Sequence, residues 1–434
     1  MSQSKSRLPK RKVISLFSSA GIGDLGVRNN GLEIVVSNEL IRERHRLYEA
    51  NYQKTKCFTG DVWALKKEIV KYYRKCYKEA PPFLIIATPP CQGMSTNGAG
   101  RLKHEILQGR RSDEDIRNRL IVPTMDIISE LKPEWVLLEN VPGMRNTIIK
   151  DENNNCIGIL DYINLRLGSE YIGGAEVLAC EDYGIPQVRK RLITLYTRTS
   201  KGKEYYKKYN SFFTNIKKSR KLTLRDAILN LPKLDAVAGK NEKKSFHPLH
   251  LVPIMNPEKY WWVSCTKEGD QAYNNQCAKC GFSANAKHTD QNIDGKWVSN
   301  KDTPIYCQSC KELLPRPTMI DKKTGRRRLI RGFHSAYRRM VWDKPANTLT
   351  QNFQFEASDN KIHPDQNRVL SIYEALRIQT ISDYKYEFVL NGKTISRSMF
   401  AEIIGESAPP KLIDIICSEI LKITNKPGQK KVKM

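Results

Sequence analysis

The chain has 434 residues, with 73 Lys and Arg against 46 Asp and Glu, so its formal net charge is +27. A charge of this sign favours a polyanionic partner, with nucleic acid first and a ribosomal or membrane surface as alternatives. No stretch approaches the roughly 20 apolar residues of a membrane span, and the basic amino terminus lacks the apolar region of a signal peptide. With 11 cysteines and no secretion signal, we expect reduced thiols and a cytoplasmic protein without a membrane partner.

Short apolar runs separated by helical lengths fill the first half of the chain. The predicted strands lie at 13–17, 32–37, 57–58, 83–87, 135–138 and 192–196. Such an alternation predicts βαβ units, a parallel sheet and the α/β fold class. Further along, residues 373–379 have an amphipathic pattern, and Leu412 to Ile423 predicts a closing helix that begins near Pro409 and Pro410.

Small and acidic residues follow the first three predicted strands. The loop from Phe17 to Gly23 is built of small residues, which let a backbone approach a ligand closely. Glu39 ends the second strand and could accept hydrogen bonds from ribose hydroxyls, and Asp61 could accept one from an adenine amino group. The pattern is compatible with a nucleotide-like cofactor, although a tight turn alone would look similar.

A thiol and a carboxyl group follow two later strands. Cys91 comes directly after Pro89 and Pro90, which stop the strand and force the chain to turn. Glu139 ends the next predicted strand, and a parallel sheet would bring both groups to its carboxyl edge. There they could attack and protonate an electron-poor ring. Alternatively, Cys91 packs in the core and Glu139 caps a helix.

Six motifs in one order resemble those of DNA (cytosine-5) methyltransferases. They are the cofactor loop Phe17 to Gly21, the nucleophile motif Pro89-Pro90-Cys91-Gln92, Glu139-Asn140-Val141, Gln187 with Arg189 and Arg191, Arg377-Ile378-Gln379, and the closing motif Gly405-Glu406-Ser407-Ala408-Pro409-Pro410. The resemblance covers roughly residues 13–200 and 346–424. It implies a Rossmann-like S-adenosylmethionine-dependent methyltransferase domain.

The resemblance also implies a role for each matching residue. Cys91 would add to C6 of a cytosine flipped out of the DNA, and Glu139 would hold a proton at N3. Arg189 and Arg191 would face the cytosine pocket. The residues implied for binding S-adenosylmethionine are Phe17, Ser18, Ala20, Gly21, Ile22, Glu39, Asp61, Val62, Pro90, Glu406 and Ser407.

Two residues depart from the family's usual motifs. Ser19 stands where the cofactor loop usually has glycine, and Glu406 stands where the closing motif usually has asparagine. Both positions are implied to lie near the cofactor, so cofactor affinity is the quantity that these changes affect. Neither departure touches Cys91 or Glu139, and we expect an active enzyme.

The middle of the chain differs in composition from both flanks. Cys277 and Cys280, with Cys307 and Cys310, form two Cys-x-x-Cys pairs of the kind that build a closed, structural zinc site. Cys265 is a spare candidate ligand, as is His288. We predict a catalytic domain over 1–200, an irregular zinc-containing target-recognition domain over 201–345, a return to the catalytic domain over 346–424, and a basic tail over 425–434.

Together these features predict a site-specific DNA cytosine-5 methyltransferase, acting as a monomer on double-stranded DNA. It would be the modification enzyme of a restriction system, whose endonuclease shares the recognition site without needing to bind this chain. One alternative is an RNA methyltransferase of the tRNA-acting type, which the large recognition insert disfavours. A second is a catalytically silent, zinc-containing DNA-binding protein, which intact Cys91 and Glu139 disfavour.

Overall fold

A computed structural model describes residues 11–90, 116–293, 296–299, 303–330, 336–358 and 361–425 of the chain. Its strands are β1 Lys12–Leu16, β2 Glu33–Glu39, β3 Lys56–Thr59, β4 Leu84–Ala87, β5 Trp135–Asn140, β6 Ile148–Lys150, β7 Cys156–Gly158, β8 Ile172–Ala179, β9 Gln187–Val188, β10 Lys190–Thr197, β11 Asp290–Ile293, β12 Lys296–Ser299, β13 Thr318–Ile320, β14 Arg327–Leu329, β15 Ala346–Asn347, β16 Val389–Leu390 and β17 Lys393–Thr394. Its helices are α1 Asp24–Asn29, α2 Arg42–Asn51, α3 Val62–Tyr77, α4 Ile121–Leu131, α5 Ile159–Leu167, α6 Ser200–Tyr209, α7 Leu224–Ile228, α8 Pro257–Ser264, α9 Ile372–Ile378, α10 Arg397–Glu406 and α11 Pro410–Asn425. Cys91 lies outside the described residues.

A seven-stranded sheet forms the centre of the fold, with the strand order β3-β2-β1-β4-β5-β10-β8. The pairings among β3, β2, β1, β4 and β5 are parallel, so the carboxyl ends of these strands meet at one edge. The α/β class predicted from the sequence is therefore confirmed.

One strand corrects the prediction of a wholly parallel sheet. β10 pairs antiparallel with both β5 and β8. Only residues 180–189 connect β8 to β10, and a parallel crossover would need a dozen or more residues and usually a helix. Because β10 runs in the opposite direction, its first residues lie at the edge where β5 ends. Leu192 pairs with Asn140 there, which brings Arg191 close to Glu139.

Apolar side chains cover both faces of the sheet. On one face, α3, α4 and α5 contribute residues such as Ile69, Ile128 and Tyr162 to a buried cluster. The other face is covered by α1, α2, α6, α9, α10 and α11. The ring of Phe212 lies 5.2 Å from that of Trp135 in β5, so residues just beyond position 200 pack directly against the sheet. The domain division at 200/201 stays a prediction.

Helices α1 and α11 touch through their backbones. A Cβ atom on Gly26 would lie 2.4 Å from the backbone nitrogen of Asp414 and 2.5 Å from the carbonyl oxygen of Pro410. Only glycine permits this approach without displacing one of the helices. Asn30 secures the same contact, because its Nδ2 donates to Asp414 Oδ1 at 2.6 Å.

The middle of the chain forms two smaller clusters of its own. One gathers Trp262, Tyr273 and Tyr337 with Val369, and the other surrounds the cysteines with Leu314. Short two-stranded sheets, β11 with β12 and β13 with β14, complete this part. Across the described ranges, no helix combines the length and apolar character that a membrane crossing needs.

Candidate functional site

The loop after β1 holds the first predicted cofactor residues in a backbone conformation that residues other than glycine rarely adopt. The φ angles of Phe17, Ser19 and Gly21 are 57°, 49° and 81°, all in the left-handed region. Left-handed backbone costs a residue other than glycine about 1–2 kcal/mol, so neighbouring groups must hold the loop in place. The family's preference for glycine at position 19 has a physical basis in this angle, and serine adopts it here at a cost.

Tyrosines from two distant segments provide that support. The hydroxyl of Tyr52 donates to the carbonyl of Gly21 at 2.6 Å, and the hydroxyl of Tyr386 donates to that of Ala20 at 2.6 Å. A Cβ on Gly21 would lie 2.5 Å from the Tyr52 ring, so the loop is packed tightly on that side. Sequence reasoning missed both tyrosines, because nothing local marks a residue that supports a loop from so far along the chain.

Glu39 is bound to this loop through its carboxylate. Its Oε2 accepts from the Ser19 N–H at 2.9 Å, and its Oε1 accepts from the Ile41 N–H at 2.8 Å. Burial raises the pKa of Glu39, and these two N–H groups oppose the rise. The Oγ of Ser19 is buried and has no hydrogen-bond partner among the described residues. A buried hydroxyl without a partner, next to the carboxylate of Glu39, could form a hydrogen bond with a polar ligand, as the cofactor prediction requires.

The remaining residues of this group lie around the same loop. Asp61 is the N-cap of α3, where its Oδ1 accepts from the Trp63 N–H at 3.0 Å, and it is exposed. Val62, the first residue of that helix, is buried. Ser18 donates through its Oγ to the carbonyl of Asn38 at 3.3 Å, while Ala20 and Ile22 are buried in the core. The predicted cofactor residues of β1, β2 and β3 thus share one edge of the sheet.

Glu139 and Arg191 form a close pair at the same edge. Nε of Arg191 lies 2.6 Å from Oε1 of Glu139, and both side chains are about nine-tenths buried. The contact lacks the alignment of a hydrogen bond, so it is an ion pair that leaves this oxygen without a hydrogen-bond partner among the described residues. Asn140 Nδ2 donates to the carbonyl of Pro89 at 3.1 Å, which ties the end of β5 to the segment that leads into Pro90.

Arg189 points to a different part of the molecule. It is 1% exposed, and its guanidinium donates to the carbonyls of Leu349, Gly405 and Ser407 at 2.8, 3.1 and 2.9 Å. The structure therefore brings Arg191, and not Arg189, onto Glu139. Arg189 instead fastens the closing motif to the sheet.

Glu406 also has partners that the sequence did not predict. Its Oε2 lies 2.5 Å from Nη1 of Arg44 on α2, and its Oε1 accepts from the side-chain amide of Gln351. The carbonyl of Ser407 accepts from Arg189 and, at 2.8 Å, from Gln379 Nε2. The sequence pattern could have indicated that Arg44 is buried, because it lies on the same helical face as Leu47 and Tyr48.

The four cysteines of the two Cys-x-x-Cys pairs converge. Their sulfur atoms all lie within 4.8 Å of one another, with 3.5 Å between Cys277 and Cys310 and 3.7 Å between Cys280 and Cys307. The backbone N–H of Cys280 lowers the pKa of the Cys277 thiol. The two spare candidates, Cys265 and His288, are not part of this cluster.

The two cysteine turns repeat one geometry. In the first, the N–H of Gly281 donates to the carbonyl of Cys277 at 3.1 Å, and in the second the N–H of Lys311 donates to that of Cys307 at 3.0 Å. Gly281 and Lys311 have φ angles of 73° and 63°. Lysine in the left-handed region is uncommon, so the second turn accepts strain to keep its sulfur atoms in position. The arrangement can hold a tetrahedral metal ion with four thiolate ligands.

Nearly the whole chain is similar to known DNA methyltransferases. The sequence model of C-5 cytosine-specific DNA methylases matches residues 11–422. The chain is 30% identical over 416 residues to the Type II methyltransferase M1.HgaI of Avibacterium volantium, covering 94% of this chain and 97% of that relative. It is 24% identical over 455 residues to the Type II methyltransferase M.AgeI of Thalassovita gelatinovora, covering 95% and 99%.

Solved structures show the same fold at lower identity. A prophage-encoded E. coli protein assigned as a DNA modification methyltransferase superposes with a TM-score of 0.54 at 20% identity, covering 96% of this chain and all of the other. DNMT2 of Spodoptera frugiperda superposes with a TM-score of 0.51 at 15% identity, covering 95% and 99%. At these identities the similarity concerns the fold alone.

Proposed function

Because this chain belongs to the C-5 cytosine-specific DNA methylase family and is a DNA cytosine-5 methyltransferase, we propose that it methylates a flipped cytosine through a covalent adduct of Cys91. S-adenosylmethionine is the proposed donor, and a short site in double-stranded DNA is the proposed substrate. The names of the relatives support the modification enzyme of a Type II restriction-modification system.

The observation that carries this proposal is the Glu139–Arg191 pair beside the segment that leads to Cys91. C5 of cytosine is a weak nucleophile, and a thiolate that adds to C6 pushes the electrons of the C5–C6 double bond onto C5. The resulting negative charge spreads over the ring, and a proton held at N3 by Glu139 stabilises it. Arg191, 2.6 Å from the carboxylate, fixes its orientation. C5 then forms a bond to the methyl carbon, and the donor sulfur keeps the electrons of the bond that breaks. A water removes the C5 proton, the electrons of the C5–H bond re-form the C5–C6 double bond, and the Cys91 sulfur leaves as a thiolate.

The loop after β1 and the ends of β2 and β3 are the proposed cofactor site. When bound, S-adenosylmethionine supplies an electrophilic methyl group on a positively charged sulfur. Glu39 and Asp61 offer carboxylate oxygens, and the small residues of the loop permit close approach of the backbone. Ser407 and Glu406 complete this side of the site through the closing motif.

The proposed substrate is consistent with the charge of the chain. Flipping a base costs a few kcal/mol, and contacts to the DNA backbone and the pocket must offset this cost. A net charge of +27 supplies long-range attraction to the phosphates, which salt should weaken.

The cysteine cluster is the proposed site of a structural zinc ion. Zinc–thiolate bonds of about 2.3 Å place tetrahedral sulfur atoms about 3.8 Å apart, close to the 3.5 and 3.7 Å observed here. Four protein ligands leave no open position for a substrate. The ion would therefore stabilise the predicted target-recognition domain and take no part in catalysis.

Bisulfite sequencing tests the proposed reaction directly. A plasmid that carries all short sequence contexts is incubated with the protein and S-adenosylmethionine, and we expect protection of cytosines in one short context. The Cys91→Ser variant should bind DNA and leave every cytosine unprotected. A DNA containing 5-fluorocytosine should remain covalently attached to the wild type, because fluorine blocks loss of the C5 proton. Protection by Cys91→Ser, or methylation of RNA in place of DNA, would refute the proposal.

A further inference from the structure

Arg44 is a buried cation at the contact between helices α2 and α10. It is 8% exposed, and its Nη2 lies 2.9 Å from Oε2 of Glu402 while its Nη1 lies 2.5 Å from Oε2 of Glu406. Glu402 and Glu406 stand one turn apart on α10, so both carboxylates converge on one guanidinium. Gln351 donates its amide to the other oxygen of Glu406.

The backbone around Glu406 has no freedom to move away from this contact. Arg189 holds the carbonyls on both sides of it, those of Gly405 and Ser407. A Cβ on Gly405 would lie 2.3 Å from the backbone nitrogen of Gln351, so the two segments are in direct backbone contact. The charge of Glu406 must therefore be compensated where it lies.

The same cation acts on Glu39, the acidic residue proposed to bind the ribose. Burial is the largest influence on the pKa of Glu39 and raises it, the N–H groups of Ile41 and Ser19 lower it, the charge of Arg44 lowers it further, and Glu406 raises it. The charged groups with the largest influence on Glu39 are Arg44 from α2 and Glu406 from α10. Glu39 also contacts the start of α2 directly, because its Oε1 accepts from the N–H of Ile41, the N-cap residue three positions before Arg44. The positive charge of Arg44 thus opposes the repulsion that Glu406 exerts on Glu39.

We propose that Arg44 is a positioning residue for the cofactor site. It compensates the charge of Glu406 and so holds the Glu39 carboxylate, at the start of the same helix, in place for the ribose hydroxyls. This inference rests on the proposed use of S-adenosylmethionine. It also accounts for the departure of the closing motif from asparagine: an acidic residue at position 406 is tolerated because α2 supplies a matching cation. A purely mechanical link between α2 and α10 would hold the helices together without influencing the ionisation of Glu39.

Calorimetric titration of S-adenosylmethionine without DNA separates these two roles. Arg44→Met should weaken binding severalfold, and the loss should grow as the pH falls below neutral, because the pKa of Glu39 rises further when Arg44 is absent. The double variant Arg44→Met with Glu406→Gln should recover most of this affinity, since the repelling charge is gone while an amide can still bond Gln351. Arg46→Met, an exposed arginine on the same helix, is the matched control and should bind as the wild type does.

The single variant Glu406→Gln provides a test that does not depend on removing Arg44. It should move the pH below which S-adenosylmethionine binding weakens to a lower value, because Arg44 then acts on Glu39 without opposition. In steady-state assays Arg44→Met should raise KM for S-adenosylmethionine, with kcat at saturation unchanged.

Three results would overturn the inference: unchanged binding by Arg44→Met, an equal loss at every pH without recovery in the double variant, or an unshifted pH profile in Glu406→Gln. If Arg44→Met fails to fold, the profile of Glu406→Gln decides alone. If the wild type itself does not bind S-adenosylmethionine, the proposed function fails and this inference fails with it. Normal binding by the wild type and Arg44→Met alike would refute only the role of Arg44.

Discussion

Replacing Glu374 with glutamine should destabilise the folded chain in a pH-dependent way. Arg368 binds both carboxylate oxygens of Glu374 at 2.7 Å, and the two side chains are 0% and 1% exposed. Ser371 is the N-cap of α9 and forms a capping box with Glu374. That helix leads into Gln379, which bonds both Gln187 and Ser407, so the pair supports the closing motif.

The magnitude follows from the shifted pKa of Glu374. Burial raises the pKa, but the charge of Arg368 and its hydrogen bonds more than offset this and lower it from 4.5 to about 2. A depression of this size corresponds to about 3 kcal/mol of folding free energy at neutral pH. Since the folded pKa is the lower one, this stability is fully present above pH 4.5 and is lost as the pH falls towards 2. By about pH 3.5, about 1.4 kcal/mol of it should be gone.

Urea unfolding followed by tryptophan fluorescence measures the difference between wild type and Glu374→Gln at several pH values. We expect a difference of about 3 kcal/mol near neutral pH that shrinks to about half near pH 3.5. Glu79→Gln, at an exposed position, should show no difference at either pH. A difference for Glu374→Gln that is below about 1 kcal/mol near neutral pH, or the same at both pH values, would refute the assigned role of the pair.

Three further variants, with Cys265→Ser as a control, test the cysteine cluster, the catalytic carboxylate and the cofactor loop. Mass spectrometry of the purified wild type should find one zinc ion per chain. Cys280→Ser should lose this ion and Cys265→Ser should retain it. A wild type without metal would contradict the zinc site. Glu139→Gln should lower kcat about a hundredfold or more with S-adenosylmethionine binding intact, and near-normal turnover would remove Glu139 from the mechanism. Tyr386→Phe deletes the hydrogen bond to the carbonyl of Ala20 and should raise KM for S-adenosylmethionine severalfold, about 1 kcal/mol; an unchanged KM would show that the loop holds its shape without this tyrosine.

The sequence predicted those parts of the fold that depend on local patterns. Apolar runs that end at small, acidic or proline residues correctly indicated β1, β2, β4 and β5, and the closing helix matches α11. β8 was missed because Gly173 and Gly174 dilute its apolar pattern. The space there is set by a distant strand, since a Cβ on Gly173 would lie 2.0 Å from the carbonyl oxygen of Leu195. The direction of β10 also depends on its connection to β8 and not on its composition.

The candidate site shows the same limit at the level of single side chains. Motif order was enough to select both Glu139 and Arg191, but no local signal distinguishes Arg191 from Arg189. Residues two apart in a continuous strand share a face. Here the strand is interrupted at Arg189, because β9 pairs with β15 while β10 joins the central sheet, and the two guanidinium groups diverge. Such a break depends on the pairing of β9 with β15, which lies more than a hundred residues away in the chain.

The backbone contact at Gly26 has a consequence for how the protein is made. Helix α1 continues directly from the cofactor loop, yet the surface that it packs against belongs to α11, at Pro410 and Asp414. A nascent chain on the ribosome therefore carries the first helix for most of its synthesis without the partner that supports it. The amino-terminal strands can pair early, but α1, which continues from the cofactor loop, gains its packing partner only when the last helix emerges. Methylation competence should thus begin after translation of this helix, and chains that stop before it should be inactive even with every motif residue up to Pro409 in place.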